Sequence, residues 1–158
     1  MVPRILIVDD EHDFIELLQY KLGGRGYDLI VANDGIHALS QARQMKPNLI
    51  LLDILLPDLD GLSVCEILRR QPATKKIPVI FMSALSGDVT RRTAAMHAED
   101  FFTKPLDLNR LEKAHRRIAA RRAVNELILP LNLNHNPNLN RFFRRLRLGA
   151  GLRLRKDF

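Results

Sequence analysis

Two short apolar runs in this chain each end in carboxylates. Asp53 follows the run 49–52, and the pair Asp9-Asp10 follows the run 5–8. Pro, Asp and Gly residues come soon after Asp53, so the strand that carries it is expected to end there and to present an exposed acid at a sheet edge. Three carboxylates close together repel one another unless a cation neutralises them. Oxygen ligands of this kind suit Mg²⁺, which takes one or two carboxylates and completes its shell with water and phosphate oxygens.

A carboxylate beside Mg²⁺ can attack a phosphoryl group, and the product on Asp53 would be an aspartyl phosphate. Such a transfer depends on positioning and charge neutralisation, so a fixed cation is expected opposite the metal. Lys104 follows the last apolar run and can supply that cation, while Ser83 offers a hydroxyl to a phosphoryl oxygen. The residues therefore predict Asp53, Ser83 and Lys104 as the reacting and contacting groups, and Asp9, Asp10 and Asp53 as the metal ligands.

Each of these residues also has an ordinary structural interpretation. Acids that follow strands often cap helices, so Asp9 and Asp10, taken singly, are also candidates for capping. A lone Ser-Ala or Lys-Pro pair carries no functional information. A shared site is favoured by the order of these residues along the chain. The first, third, fourth and fifth apolar runs are followed, in turn, by Asp9-Asp10, Asp53, Ser83 and Lys104.

The spacing of apolar residues predicts the scaffold that positions this site. Five β-like runs are predicted over residues 4–8, 28–31, 49–52, 78–82 and 100–103. Amphipathic segments separate them, which is typical of a buried parallel sheet covered by helices on both faces. We expect an α/β protein with a doubly wound five-stranded parallel sheet in the order 2-1-3-4-5. The switch point then lies between strands one and three, where Asp9, Asp10 and Asp53 converge.

Three of the predicted helices differ in their apolar patterns. In the first helix, one face is expected to carry Phe14, Leu17, Leu18 and Lys21. The fourth helix, over about residues 88–96, is the least apolar. The last helix is expected to carry Leu108, Leu111, His115 and Ile118 and to continue through Ile128, since Pro130 would end it.

Composition limits the class of protein. The 158 residues, 46% hydrophobic and 27% charged, allow one core and one full domain. Apolar runs of four or five residues are too short to span a bilayer, and the first ten residues lack the features of a signal peptide. A cytoplasmic protein without a transmembrane segment is therefore expected. The single cysteine, Cys65, lies among apolar residues and is expected to be buried and not to be a nucleophile.

The excess positive charge lies near the C-terminus. Residues 1–118 hold 16 basic and 16 acidic side chains, whereas residues 119–158 hold 9 and 2, which gives the net +7. We expect a globular domain over residues 1–120 and a basic extension over residues 121–158, with a linker and a short amphipathic helix. So short a helix must dock on something to be stable. Its own domain, nucleic acid, an anionic membrane surface and a partner protein are all candidates.

Four segments of the chain resemble the receiver domain of bacterial two-component response regulators, the CheY-like family. They read ILIVDDE, LILLDILLPDLDG, PVIFMSA and AEDFFTKPL, and the resemblance covers about residues 3–120. It implies the flavodoxin-like receiver fold, and phosphorylation of Asp53 by a histidine kinase or a phosphotransfer protein. It also implies that the backbone carbonyl of Leu55 is a further Mg²⁺ ligand.

The same resemblance assigns a switch to Ser83 and Phe101. In that family the phosphoryl group draws the hydroxyl inward and the aromatic ring follows. The face made by the fourth helix, the fifth strand and the fifth helix is thereby remodelled, and it could also support a homodimer. In physical terms, a local change of charge shifts the equilibrium between two conformations of this face.

The chain departs from the family pattern at two places. His97 stands where receivers usually have Gly, and His tolerates the left-handed backbone region less well. Leu55 and Leu85 lie two residues beyond Asp53 and Ser83, and neither side chain can orient an attacking water. Slow loss of phosphate is therefore expected.

Other classes of protein share parts of this pattern. A phosphatase of the dehalogenase type needs a second acid where Leu55 stands, and a nucleotide- or flavin-binding domain needs a glycine-rich loop where Asp9-Asp10-Glu11 stand. A DNA-binding transcriptional response regulator that acts through the basic tail or a truncated output domain is the alternative function, although no complete DNA-reading domain is visible. The expected function is a phosphoacceptor switch and not a turnover enzyme.

Overall fold

Five parallel strands form the central sheet of the protein, of which a computed structural model describes residues 2–84 and 98–128. The strands are β1 (Arg4–Val8), β2 (Asp28–Ala32), β3 (Leu49–Asp53), β4 (Val79–Ser83) and β5 (Asp100–Thr103). Their order is β2-β1-β3-β4-β5, and each neighbouring pair is parallel. The predicted fold class and strand order are confirmed.

Four helices are described: α1 (His12–Gly23), α2 (Gly35–Met45), α3 (Gly61–Arg70) and α4 (Leu108–Ile128). The extension of the last helix to Ile128 is confirmed. The chain divides into two compact units, Met1–Leu111 and Glu112–Phe158, and the division falls within α4. The predicted fourth helix, His97, Leu85 and the predicted linker and short helix of the tail lie outside the described residues, and the predicted boundary at residue 120 stays a prediction.

Burial of the central strands explains their unbroken apolar sequences. Every residue of β3 and β4 is buried, as are four of the five residues of β1. Side chains alternate between the two faces of a strand, so such burial requires cover on both faces. Cys65, on α3, is fully buried in the same core, as expected.

The buried face of α1 differs from the predicted one. It is formed by Ile15, Leu18 and Leu22, whereas Leu17 is 44% exposed. The sequence of this helix contains two overlapping apolar stripes, and only packing in the folded protein separates them. Phe14 is left half-buried at the first turn of the helix, beside the carboxyl edge of the sheet.

Aspartates fix the starts of two helices at that edge. The Asp34 side chain accepts the His37 N–H at the start of α2, and the Asp60 side chain accepts the N–H groups of Leu62 and Ser63 at the start of α3. These bonds satisfy helix donors that have no partner within the helix. These cap hydrogen bonds fix the residues at which the two helices begin.

The β3–α3 loop folds back tightly on the end of β3. The Gly61 N–H donates to the Ile54 carbonyl at 3.0 Å. A Cβ on Gly61 would lie 2.0 Å from the carbonyl oxygen of Asp53, which is far inside van der Waals contact. Only glycine therefore lets α3 begin directly against the backbone of Asp53.

Candidate functional site

Strand pairing brings the three predicted acids together. Val8 and Leu52 are partners in the β1–β3 ladder, so the next residue on each strand, Asp9 and Asp53, lies at the same edge. One carboxylate oxygen from each of Asp9, Asp10 and Asp53 lies within 4.8 Å of the other two. This convergence follows from the strand order, as the sequence predicted.

Two of these acids are buried. Asp9 is 0% exposed and Asp53 is 3% exposed, whereas Asp10 is exposed. The prediction of an exposed Asp53 is wrong, because Asp53 is the last residue of β3 and the side chain of Lys104 lies against its carboxylate. The pocket is therefore partly withdrawn from solvent, which strengthens every electrostatic interaction within it.

Lys104 is the cation at the centre of the pocket. Its ammonium donates to Asp53 Oδ2 at 2.8 Å and to Glu11 Oε1 at 2.6 Å. It also lies 2.8 Å from Asp9 Oδ2, but this contact is an ion pair without hydrogen-bond alignment, since that oxygen has no hydrogen-bond partner among the described residues. The Lys104 side chain is only 11% exposed. One ammonium thus forms ion pairs with three carboxylates.

Backbone N–H groups set the direction of the two buried acids. The Glu11 N–H donates to Asp9 Oδ1 at 3.0 Å, and the Leu55 N–H donates to Asp53 Oδ1 at 3.2 Å. In each case the donor is two residues further along, and the Oδ2 atom is left facing Lys104. Neither Asp9 nor Asp10 is the cap of α1, because that position belongs to Glu11, whose carboxylate bonds to Lys104 and makes no cap hydrogen bond.

The charges of the pocket are not balanced. Burial raises the pKa of Asp9, and the charge of Asp53 adds to that effect, although the Lys104 and Glu11 contacts act in the opposite direction. Burial alone would lower the pKa of Lys104, but its hydrogen bonds to the carboxylates outweigh burial and raise that pKa. Lys104 therefore stays charged, while the acids still lack a full counter-charge.

This donor set fits Mg²⁺. The three carboxylates offer hard oxygen ligands within one small volume, and Asp9 Oδ2 is buried without a hydrogen bond from any described residue. Mg²⁺ would be held by Asp9, Asp10 and Asp53, of which one or two would bind directly. The carbonyl of Leu55 as a further ligand stays a prediction.

Ser83 and Phe101 lie on adjacent strands, Ser83 as the last residue of β4 and Phe101 as the second residue of β5, where it pairs with Phe81. Ser83 is the buried last residue of β4, and its carbonyl accepts the Lys104 N–H at 2.9 Å. Phe101 is half-buried on β5 and packs against the core. The Leu55 side chain is 54% exposed. The switch roles of Ser83 and Phe101 stay predictions.

Two neighbours of Lys104 were not predicted from the sequence. Glu11 binds the ammonium directly, and the ring centroid of Phe14 lies 4.5 Å from Lys104 Nζ. Their position was a usable signal, since both follow the Asp9-Asp10 pair within the turn that starts α1. What the sequence did not reveal is how far the lysine side chain reaches from the end of β5.

The fold and the pocket define a doubly wound α/β protein with a carboxylate and lysine pocket at its topological switch point. A sequence model of the response regulator receiver domain matches residues 5–116 of the chain. The chain therefore belongs to the response regulator receiver domain family. It carries the receiver domain of a two-component response regulator, which is a phosphoryl-accepting signalling module.

Relatives and solved structures agree with this assignment. The chain is 42% identical over 106 residues to the alkaline phosphatase synthesis transcriptional regulatory protein PhoP of Bacillus subtilis, which is 66% of this chain and 43% of that protein. It is 40% identical over 112 residues to the DNA-binding dual master transcriptional regulator RpaA of Synechocystis, which is 70% of this chain and 46% of that protein. The match thus spans less than half of each of these relatives.

A solved receiver domain of a Francisella response regulator has 31% identity and a TM-score of 0.69, covering 75% of this chain and 98% of that chain. Receiver domains of response regulators interact with histidine kinases and often dimerise. Among the helices that the structure describes, none combines the length and apolarity needed to cross a membrane.

Removing the central cation should destabilise the fold. We expect Lys104→Met to lower the free energy of unfolding by about 3 kcal/mol in EDTA, because two buried acids lose their counter-charge. Mg²⁺ should restore part of this loss, as measured by urea denaturation. Arg70→Met is the matched control, since it removes an exposed ion pair with Glu66 and should cost no more than about 1 kcal/mol. Equal losses in the two variants, or no response of Lys104→Met to Mg²⁺, would contradict this assignment.

Proposed function

We propose that Asp53 accepts a phosphoryl group from a histidine kinase or a phosphotransfer protein. The observation that carries this proposal is the ammonium of Lys104, fixed 2.8 Å from Asp53 Oδ2 inside a buried acidic pocket. Phosphoryl transfer requires positioning and neutralisation of charge more than proton transfer. This pocket offers a nucleophile, a fixed cation and a cluster of oxygen ligands at one edge of the sheet.

The transfer is a displacement at phosphorus. A carboxylate oxygen of Asp53 forms the new O–P bond as the P–N bond of a phosphohistidine breaks, and the bonding pair stays with the imidazole. The Leu55 N–H holds Asp53 Oδ1 during this step, and the ammonium of Lys104, fixed beside Asp53 Oδ2, is placed to contact a phosphoryl oxygen. When bound, Mg²⁺ neutralises the acids and the phosphoryl oxygens.

Lys104 is suited to neutralise the phosphoryl group because its side chain stays protonated. The contacts with Asp53, Asp9 and Glu11 favour the charged form of the amine, and the side chain is largely shielded from water. A preorganised cation in such an environment stabilises developing negative charge without having to be reoriented from solvent. Lys104 is thus the group expected to bind the phosphoryl oxygen that faces β5.

The side chains of Ser83 and Phe101 would change position when Asp53 is phosphorylated. The carbonyl of Ser83 accepts a hydrogen bond from the backbone N–H of Lys104, and this bond holds the two residues together. Phe101 lies two strands from Asp53 and is half-buried, so an inward position would bury more of its ring. A shift of both side chains would alter the surface that includes β5, and that surface is the one proposed for signalling and for a homodimer.

Storage of the phosphoryl group, and not turnover, is the proposed outcome. The side chain two residues beyond Asp53 is the exposed and apolar Leu55, which cannot hold a water for attack on phosphorus. We propose a signalling switch in the cytoplasm, where its kinase would act.

The adduct on Asp53 can be tested directly by mass. Incubation of the full chain with Mg²⁺ and acetyl phosphate should add one phosphoryl group, as seen by intact-protein mass spectrometry, and EDTA should prevent it. Asp53→Asn should abolish the adduct. Asp58→Asn changes another acid in the following loop and should leave the adduct intact. A phosphoryl adduct that persists in Asp53→Asn would refute the assignment.

The lifetime of the phosphorylated state tests the role of Leu55. We expect slow decay in the unsubstituted chain, and faster decay in Leu55→Asn or Leu55→Glu, because an amide or carboxylate there can orient water. Leu85, which lies outside the described residues, is the second position for the same substitutions. Decay after removal of the phosphodonor can be followed by mass. A half-life of seconds that none of these substitutions changes would exclude this explanation.

A DNA-binding regulator is the second candidate function. Residues 119–158 carry 9 basic and 2 acidic side chains, and RpaA, a relative, is named as DNA-binding. If the tail binds phosphates, Arg144→Gln with Arg145→Gln should weaken binding of duplex DNA and reduce its salt dependence, by roughly one unit of slope for each arginine that pairs with a phosphate. Lys75→Gln with Lys76→Gln, in the exposed α3–β4 loop, is the control. Equal effects of the two double substitutions would refute a specific role of the tail.

A further inference from the structure

One contact of the Lys104 ammonium differs from its other contacts in chemical type. The ammonium lies over the ring of Phe14, 4.5 Å from its centroid, whereas its ion pairs among the described residues are with carboxylates. Phe14 is outside the buried face of α1, which is made by Ile15, Leu18 and Leu22. Its half-buried ring is therefore not accounted for by the core and covers one side of the cation instead.

Two of the three carboxylates around Lys104 would change their surroundings during the proposed transfer. Asp53 becomes an acyl phosphate, and Asp9 is expected to turn toward Mg²⁺. Glu11 holds the ammonium from an exposed position, with its side chain 64% accessible, so water and salt weaken that pair. The ring of Phe14 neither reacts nor binds Mg²⁺ in the proposed transfer.

We propose that Phe14 is a positioning residue for Lys104, and this inference rests on the proposed phosphorylation of Asp53. The ring face attracts the ammonium through its quadrupole, and the attraction is stronger where water is excluded. The ring also covers one side of the ammonium, 4.5 Å from its centroid. Lys104 therefore stays aimed at the Asp53 oxygen as the carboxylates change partners, which spares the cost of reorienting it.

Phe14→Leu tests the ring face while it keeps an apolar side chain. The rate of phosphoryl adduct formation, with Mg²⁺ and acetyl phosphate on the full chain, should fall by about threefold to tenfold. Phe14→Tyr keeps the ring and should react at nearly the unsubstituted rate. Phe14→Met is a second apolar variant, for use where leucine impairs folding.

A double-substitution cycle separates positioning from packing. Phe14→Leu should slow the reaction in the native background, yet it should have no further effect when combined with Lys104→Met, because the cation that it positions is gone. The same fold-loss in both backgrounds would show that Phe14 acts through packing, and this would overturn the inference.

A second readout needs neither metal nor phosphodonor. The ε-methylene protons of Lys104 should show an upfield ring-current shift in the NMR spectrum of the full chain. This shift should vanish in Phe14→Leu and persist in Phe14→Tyr. Its absence in the unsubstituted chain would overturn the inference. So would an adduct that forms at the same rate in Phe14→Leu, whereas the lack of any adduct on unsubstituted Asp53 would overturn the proposed function itself.

Discussion

The contact between one ammonium and three carboxylates is the interaction on which the rest of the site depends. Lys104 reaches from the end of β5 to Asp9 and Asp53, at the ends of β1 and β3, and to Glu11 at the start of α1. It thereby connects β5 to β1 and β3, neither of which is next to β5 in the sheet. The charges do not cancel, because a single cation faces more than one buried acid. That imbalance is what suits the pocket to a divalent cation and a phosphoryl group.

The fold holds this unfavourable group of charges in place through its backbone. Strand order sets Asp9 beside Asp53, and the N–H groups of Glu11 and Leu55 turn both Oδ2 atoms toward Lys104. Gly61 allows α3 to start against the Asp53 carbonyl, where a Cβ would lie 2.0 Å from that oxygen. Burial of Asp9 opposes its charged form, so part of the stability of the sheet is used to keep the acid in position.

Local patterns in the sequence were sufficient to predict the sheet and the convergence of its acids. Apolar runs and turn residues mark the strands, and the strand order then fixes which ends meet. The burial of Asp53 and the cation–ring contact of Phe14 could not be predicted in the same way, because both depend on the path of the Lys104 side chain, which starts 51 residues after Asp53. The buried face of α1 was mispredicted for a related reason: Leu17 and Leu18 are equally apolar, and only tertiary packing separates them.

The central claim is that the phosphoryl group resides on the carboxylate of Asp53, and chemical trapping of the acyl phosphate tests it most directly. Borohydride reduces an aspartyl phosphate to homoserine, and peptide mass spectrometry then locates the reduced residue. After reaction with Mg²⁺ and acetyl phosphate, we predict homoserine at position 53 and at no other aspartate. Homoserine at position 9 or 10, or a phosphoryl group that resists borohydride and maps to a serine or histidine, would contradict the claim.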